Sequence, residues 1–375
     1  MSHLLRRAAA YACATFAALA CEYSSPLSPA DQGTATPFAP GSPAQLTFSV
    51  GDDRTASWLP DGSAIIYSSE QLDRRDHDRC LQFLPPTGGR VTRRACNLQP
   101  IALDDSTDRY EAPAVSPSGD LIYTLARSWI GLQKGPRQAL VLGTLAEPFA
   151  GARELTPIPY FASSGRTHSS ISQISWAGPG RVVYLGQMLF YEGSTFYPDT
   201  FYTGLDVVVG DIAANGITLT ALPGTDYASG VSVDPDDPAT IYFTLGGDSK
   251  VYRQSLTSGE RSVLYDFGPG HIVRDPQVSG HHLVAILDGS VLYHFEDAHG
   301  YVQRDEGGDL AIVDLGSGAM QLVDLPGTLF RRPAIAPGGA RFVVEASPRV
   351  PVHVTPQSDF NAINHRPDLW LFDLS

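Results

Sequence analysis

The sequence predicts an all-β fold, a six-bladed β-propeller closed by an N-terminal strand that completes the last blade. Three observations predict it. A short strand, a Pro/Gly/Asp corner and a second strand of β-branched and aromatic residues recur along the chain, as in SWLPDGSAIIYSS at 57–69. The corners fall near residues 60, 117, 178, 235, 280 and 337, about 45 to 61 residues apart, a period that fits one four-stranded blade per unit. The composition suits many turns and strands, with 36 Gly, 29 Pro and 10% aromatic residues.

The chain begins with a targeting signal. Residues 1–20 read as a signal peptide: Arg6 and Arg7 give a positive start, and 8–20 is an apolar stretch too short to span a bilayer. Ala18-Leu19-Ala20 fits the ordinary signal peptidase. With Cys21 it makes ALAC, which resembles a bacterial lipobox with Ala18 where most carry Leu. Two readings stand, a lipidated Cys21 or a soluble secreted chain with a chance cysteine. Residues 22–44 hold five prolines and no Lys or Arg. Such a segment cannot bury enough apolar surface to pack, so 21–43 reads as a lipidated cysteine followed by an extended tether. The expected location is extracytoplasmic, on a membrane of the cell envelope through the lipid alone, with secretion as the alternative.

Residues 44–375 are expected to form the propeller. The first hairpin has echoes in EAPAVSPSGDLIYTLA (111–126), SQISWAGPGRVVYLG (172–186), SGVSVDPDDPATIYFTL (229–245), RDPQVSGHHLVAIL (274–287) and RRPAIAPGGARFVVEA (331–346). Pro presets φ, and Gly or Asp tolerates the positive φ that closes each turn. Third and fourth strands follow, as in LDVVVGDI and ITLTALP around Ala213–Gly216. The last unit gives two strands and then PDLWLFDLS, with no fourth. AQLTFSV at 44–50 reads as a fourth strand without a blade, so it should complete the last one and remove the free edges of an open array.

Cys80 and Cys96 lie symmetrically about the turn Pro86–Gly89. A simple hairpin places them opposite each other, close enough for a disulfide in an oxidising compartment. Two free buried thiols are the other reading.

The pattern LT…W-x-PDG-x-x-I-x-Y resembles the WD40-like repeats of TolB-type propellers, the periplasmic six-bladed domain of the Tol system. The resemblance covers 44–375 and is sharpest at Trp58-Leu59-Pro60-Asp61-Gly62 and Ser116-Pro117-Ser118-Gly119. Ala177–Gly180 and Ser279–His282 have lost the motif, and the Trp-Asp pair of true WD40 proteins is absent. The resemblance implies the fold, and function must be argued from the site.

Connections between second and third strands are long in five units, and first-to-second turns are tight in all of them. Loop elaboration on one rim places the candidate binding face on the long-loop side. There, 186–204 carries Tyr191, Tyr197 and Tyr202 among further aromatics, which either grip a peptide or sugar or pack down over the rim. The entries to the innermost strands hold Arg54, Tyr110, His168, Tyr227, Arg274 and Arg331. They either ring the funnel and receive an anionic ligand or pair with Asp53, Glu111 and Asp275.

Net charge is −14, with no basic stripe, which argues against nucleic acid as a partner. No Gly-x-Ser-x-Gly, His-Glu-x-x-His or Cys-x-x-Cys occurs, so no catalytic residue, metal or cofactor is assigned. Asp234-Pro235-Asp236-Asp237 is either a calcium turn or a solvated one. The expected function is a monomeric binding or scaffold module for an envelope protein or a small anionic or carbohydrate ligand. The competing class is a lyase or hydrolase using polar residues of the funnel.

Overall fold

The computed structural model describes residues 43–48, 51–70, 79–96, 106–129, 137–156, 165–193, 198–288, 290–295, 301–305, 307–323, 325, 327–348, 353–354 and 367–374. No helix occurs among them. After β1 (Ala44–Gln45), strands β2 (Asp53–Trp58), β3 (Ile65–Glu70), β4 (Arg79–Leu84) and β5 (Arg93–Ala95) pair antiparallel in sequence order. The pattern repeats in β6 (Ser106–Val115), β7 (Asp120–Trp129), β8 (Arg137–Thr144) and β9 (Arg153–Glu154). It repeats again in β10 (Gly165–Trp176), β11 (Arg181–Gly193), β12 (Pro198–Ala213) and β13 (Gly216–Ala221). Single residue pairs, Arg79 with Arg109 and His168 with Gln138, link these sets into one twelve-stranded order.

Strands β14 (Ala228–Val233), β15 (Thr240–Leu245), β16 (Lys250–Ser255) and β17 (Arg261–Asp266) form a separate four-stranded sheet. Next come β18 (Val273–Ser279), β19 (His282–Leu287), β20 (Ser290–Phe295), β21 (Tyr301–Asp305), β22 (Asp309–Asp314) and β23 (Met320–Val323). Of these, β18, β19, β22 and β23 make one sheet. The chain finishes with β24 (Thr328–Ile335), β25 (Arg341–Pro348), β26 (His353–Val354) and β27 (Asp368–Asp373). β20, β21 and β26 form a small three-stranded sheet. The connection between β19 and β22 therefore carries a hairpin of its own, β20 with β21. Likewise 186–204 is no simple loop: β11 and β12 run on and pair as far as Gly193 with Pro198, because its β-forming residues extend the ladder.

The inner strands β2, β6, β10, β14, β18 and β24 touch one another in that order, and β24 returns to β2. The fold is an all-β propeller. Its core lies between adjacent sheets. One cluster joins Ile66, Leu81 and Phe83 to Tyr110, Leu121 and Tyr123; the next joins Ala114, Ile122 and Leu140 to Ile174, Val182 and Tyr184. The second strands read IIY, LIY and VVY, and Tyr67, Tyr123 and Tyr184 are fully or nearly fully buried. Each buried hydroxyl finds a partner, as an amphipathic ring requires: Tyr67 donates to Gln82 Oε1 (2.9 Å) and Tyr123 to the Pro148 carbonyl (3.1 Å). The PDG corner closes as its residues dictate. Gly62 takes φ 69°, and Asp61 Oδ1 accepts from the Ser63 amide at 3.0 Å.

β1 lies antiparallel on β27, with Ala44 opposite Leu371 and Gln45 opposite Trp370. The Leu46 amide donates to the Leu369 carbonyl (2.7 Å), and Leu46 is buried with Trp58, Leu369 and Leu371. Cys80 and Cys96 are joined in a disulfide, with Leu81 opposite Ala95 beside them. Opening it should cost about 3 kcal/mol, mostly by releasing the unfolded chain. Thiol labelling under denaturing, non-reducing conditions should leave both cysteines unmodified; modification of both would remove the bridge.

Candidate functional site

Each inner strand breaks register near its middle, for example between Arg54 and Ser57, Glu111 and Ala114, and Arg331 and Ala334. At the break a non-glycine residue takes positive φ: Thr55 (51°), Ala112 (49°), Gln173 (53°), Asp275 (50°) and Arg332 (47°). That conformation costs roughly 1–2 kcal/mol per residue, so its recurrence means that surrounding bonds hold it. β14 differs: its break falls at its start, between Ala228 and Gly230, Gly230 has no positive φ, and a Cβ there would collide with the Asp275 amide and Pro276.

The bulges aim polar groups across the channel and tie the strands in a belt. The Thr55 amide donates to Glu345 Oε1 (2.7 Å), and the Ala112 amide to Thr55 Oγ1 (3.0 Å). The Val231 amide donates to Gln173 Oε1 (2.7 Å), and Gln173 Nε2 donates to Asp275 Oδ1. The Arg332 amide donates to Asp275 Oδ2 (3.1 Å), and Arg332 Nη1 returns to Glu345 Oε2 (3.3 Å). Ala112 carries no side-chain group to continue the belt toward Gln173.

On the tight-turn side of the belt opens a cavity of about 720 Å³, within the usual range for ligand sites. Its wall contains Pro60, Pro117, Pro179, Pro235 and Pro337 from the corners, Trp58 and Trp176 above them, and Gln173, Asp275 and Arg332 on the floor. The indoles are fixed by bonds to the neighbouring sheet, Trp58 Nε1 to the Ala334 carbonyl (2.8 Å) and Trp176 Nε1 to the Ala114 carbonyl (3.1 Å). Asp234 at the rim is spent on its own turn. Its Oδ1 accepts from the Asp236 amide (2.9 Å) and its Oδ2 from Tyr242 Oη (2.7 Å).

On the long-loop side lies a buried ionic array. Asp52 pairs with Arg54 (2.6 Å) and Arg79 (2.9 Å), Arg79 with Glu111 (2.6 Å), and Glu345 with Arg331 (3.0 Å) and Arg332 (3.3 Å). Glu345 is fully buried. Burial pushes its carboxyl upward, but Arg332, Arg331 and Arg54 together outweigh burial and hold it below the ordinary range. Asp52 is raised, because burial exceeds the pull of its arginines. Arg54 is lowered to about 10, by burial first and then by Arg331.

The structure brings Arg54 and Arg331 into this array and places Arg274 at the matching position of β18, one residue before a bulge. The other three funnel candidates sit elsewhere. Tyr110 is buried against Tyr123 and Phe149, and its neighbour Glu111 occupies the matching position. His168 is 2% exposed, with its ring nitrogen 3.1 Å from Tyr184 Oη. Tyr227 is 72% exposed in the connection before β14. The bulge, and not the point where the strand begins, sets which side chain enters the channel. Tyr191 and Tyr202 lie on β11 and β12. Tyr197 and Cys21 lie outside the described residues. Asp275 is legible in the sequence as a pairing partner, whereas Asp52, Arg79, Glu345, Thr55, Gln173 and Arg332 are not. The x-Pro step at Ala112-Pro113, Asp275-Pro276 and Arg332-Pro333 marks three of the six bulges in the sequence.

No protein-family model matches the chain, and no curated protein matches its sequence. Similar solved structures are propellers. TolB from Acinetobacter baumannii is 15% identical, with TM-score 0.41, 86% of this chain covered and 63% of the other, so this chain spans less than two thirds of that protein. A putative TolB from Agrobacterium tumefaciens is 12% identical, with TM-score 0.46 and coverage of 89% and 97%. A gluconolactonase from Xanthomonas campestris is 13% identical, with TM-score 0.49 and 89% of each chain covered. These likenesses concern the fold alone.

Proposed function

We propose that this chain is a six-bladed propeller acting as a binding module of the cell envelope, with its ligand seated in the cavity ringed by the tight turns. The cavity is the observation that carries the reading. It is rigidly walled, apolar at its sides and polar at its floor, as binding sites are. Two of its three carboxylates are committed to structure, and the third, Asp236, stands exposed at the rim. Asp275 accepts at both oxygens from the belt, and Asp234 accepts at both from its own turn and Tyr242. General acid–base work needs a titratable group poised at the reacting atoms.

Blade number is supported by the core, since each hydrophobic cluster lies between two consecutive four-stranded arrays. The single pairs at Arg79 and His168 are then blade-to-blade contacts of long inner strands. The disulfide favours an oxidising, extracytoplasmic compartment. ALAC at 18–21 supports a lipid anchor, and the Pro-rich stretch after it a spacer. The partner we assign is an extended segment of an envelope protein. Proline and tryptophan faces grip such a chain by apolar contact.

Ser175 lines the cavity at partial exposure. Ser175→Trp should obstruct it and abolish capture of an envelope protein by residues 43–375, with the melting temperature changed by only a few degrees. Undiminished capture by a folded variant would overturn the site.

A further inference from the structure

We propose a second binding position, on the long-loop side of the belt: a subsite for a carboxylate between Arg54 and Arg331. It goes beyond the cavity reading and stands or falls independently of it.

The two arginines occupy matching positions on β2 and β24, inner strands that touch each other. Each precedes a belt residue, Thr55 or Arg332, and the Thr55 amide and Arg331 Nε meet on the one carboxylate of Glu345. Arg331 spends its Nε on Glu345 Oε2 (3.0 Å), while its Nη2 is buried with no acceptor among the described residues. A buried donor without an acceptor is destabilising, more so when charged, and such an atom calls for an explanation. Arg54 directs its Nη2 to Asp52 Oδ2 (2.6 Å).

The local acceptors are heavily shared. Asp52 serves Arg54 and Arg79, and Glu345 serves Arg331, Arg332 and the Thr55 amide. The two guanidinium groups repel each other at a distance where Arg331 helps lower the basicity of Arg54. An incoming carboxylate would relieve that repulsion, accept from Arg331 Nη2 and offer its second oxygen to Arg54. A planar two-oxygen anion matches the planar fork of a guanidinium. The side chains of Arg54 and Arg331 keep 20% and 11% of their exposure, so a carboxylate enters by that exposed part and must displace the cover over Nη2 to reach it.

The carboxylate has two sources, a free organic acid or the C-terminus of a polypeptide. Calorimetric titration and thermal shift at constant ionic strength would use sodium acetate, N-acetyl-dialanine and its C-terminal amide, against sodium chloride. Acetate should bind the wild-type protein and raise its melting temperature, and the amide should not. Tighter binding of the dipeptide acid than of acetate assigns a polypeptide; equal binding assigns a free acid; either supports the subsite. Arg331→Gln should weaken acetate at least tenfold, and Arg181→Gln, at an exposed ion pair, should leave it unchanged. If Arg331→Gln does not fold, Arg54→Lys, which keeps the charge and loses the fork, should weaken acetate similarly. No acetate binding to the wild type, or equal affinity in a folded Arg331 or Arg54 variant, would overturn the proposal.

Discussion

Glu345→Gln should destabilise the propeller by about 3–5 kcal/mol at neutral pH, read by urea unfolding. The carboxylate is fully buried and holds Arg331, Arg332 and the Thr55 amide. Removing its charge leaves Arg331, 11% exposed, and Arg332, 34% exposed, without their counter-ion and loosens the belt where β2 meets β25, and breaking a buried pair from one side costs that much. The pH dependence has a defined sign. A carboxyl held below its ordinary value of 4.5 contributes stability that is fully present above that value and is lost as pH falls through its folded pKa. The gap between wild type and variant should therefore be complete at pH 7 and close below about pH 4.5. A gap that is small at pH 7, or that widens in acid, would contradict the role given to Glu345. Arg181→Gln is the control. That pair is exposed on both sides, and exposed pairs contribute about 0–1 kcal/mol.

The second large effect is expected at the strap. Leu46 is 2% exposed between the first and last sheets, and Thr47 accepts the Leu369 amide at its hydroxyl (2.9 Å). Leu46→Ala should cost about 2–5 kcal/mol through lost burial and the cavity left behind. Deleting 43–48 should cost more and leave β27 as an open edge, a template for aggregation. Light scattering on heating should show it. A deletion variant that melts like the wild type and stays monomeric would remove β1 from the closure.

The parts of this fold that can be read along the chain are those set by local chemistry. Pro-Asp-Gly and Pro-Ser-Gly force tight turns, and the IIY and LIY runs that follow can only be buried strands. The pairing of Cys80 with Cys96 was legible because both lie equidistant from one turn. The belt was not, because it depends on a bulge, which shifts side-chain direction by one residue without a fixed local signature. That is why Arg54, Arg274 and Arg331 were placed in phase while Tyr110, His168 and Tyr227 were not. The cavity escaped for a different reason. Pro60, Pro117, Pro179, Pro235 and Pro337 each read as turn formers, and only closure of the sheets around one axis brings them to a shared wall. The rim richest in aromatic residues drew attention to the opposite face.

The choice between faces is open to direct measurement. A photo-cross-linking amino acid would be placed singly at Ser57 or Ser175 in the cavity, and at Tyr191 or Tyr202 on the third unit's long connection. The four variants would then be irradiated in intact cells. Covalent adducts with one envelope protein from Ser57 and Ser175, and none from Tyr191 or Tyr202, are the predicted result. Adducts from Tyr191 and Tyr202 alone would contradict the tight-turn site and move the function to the long-loop rim.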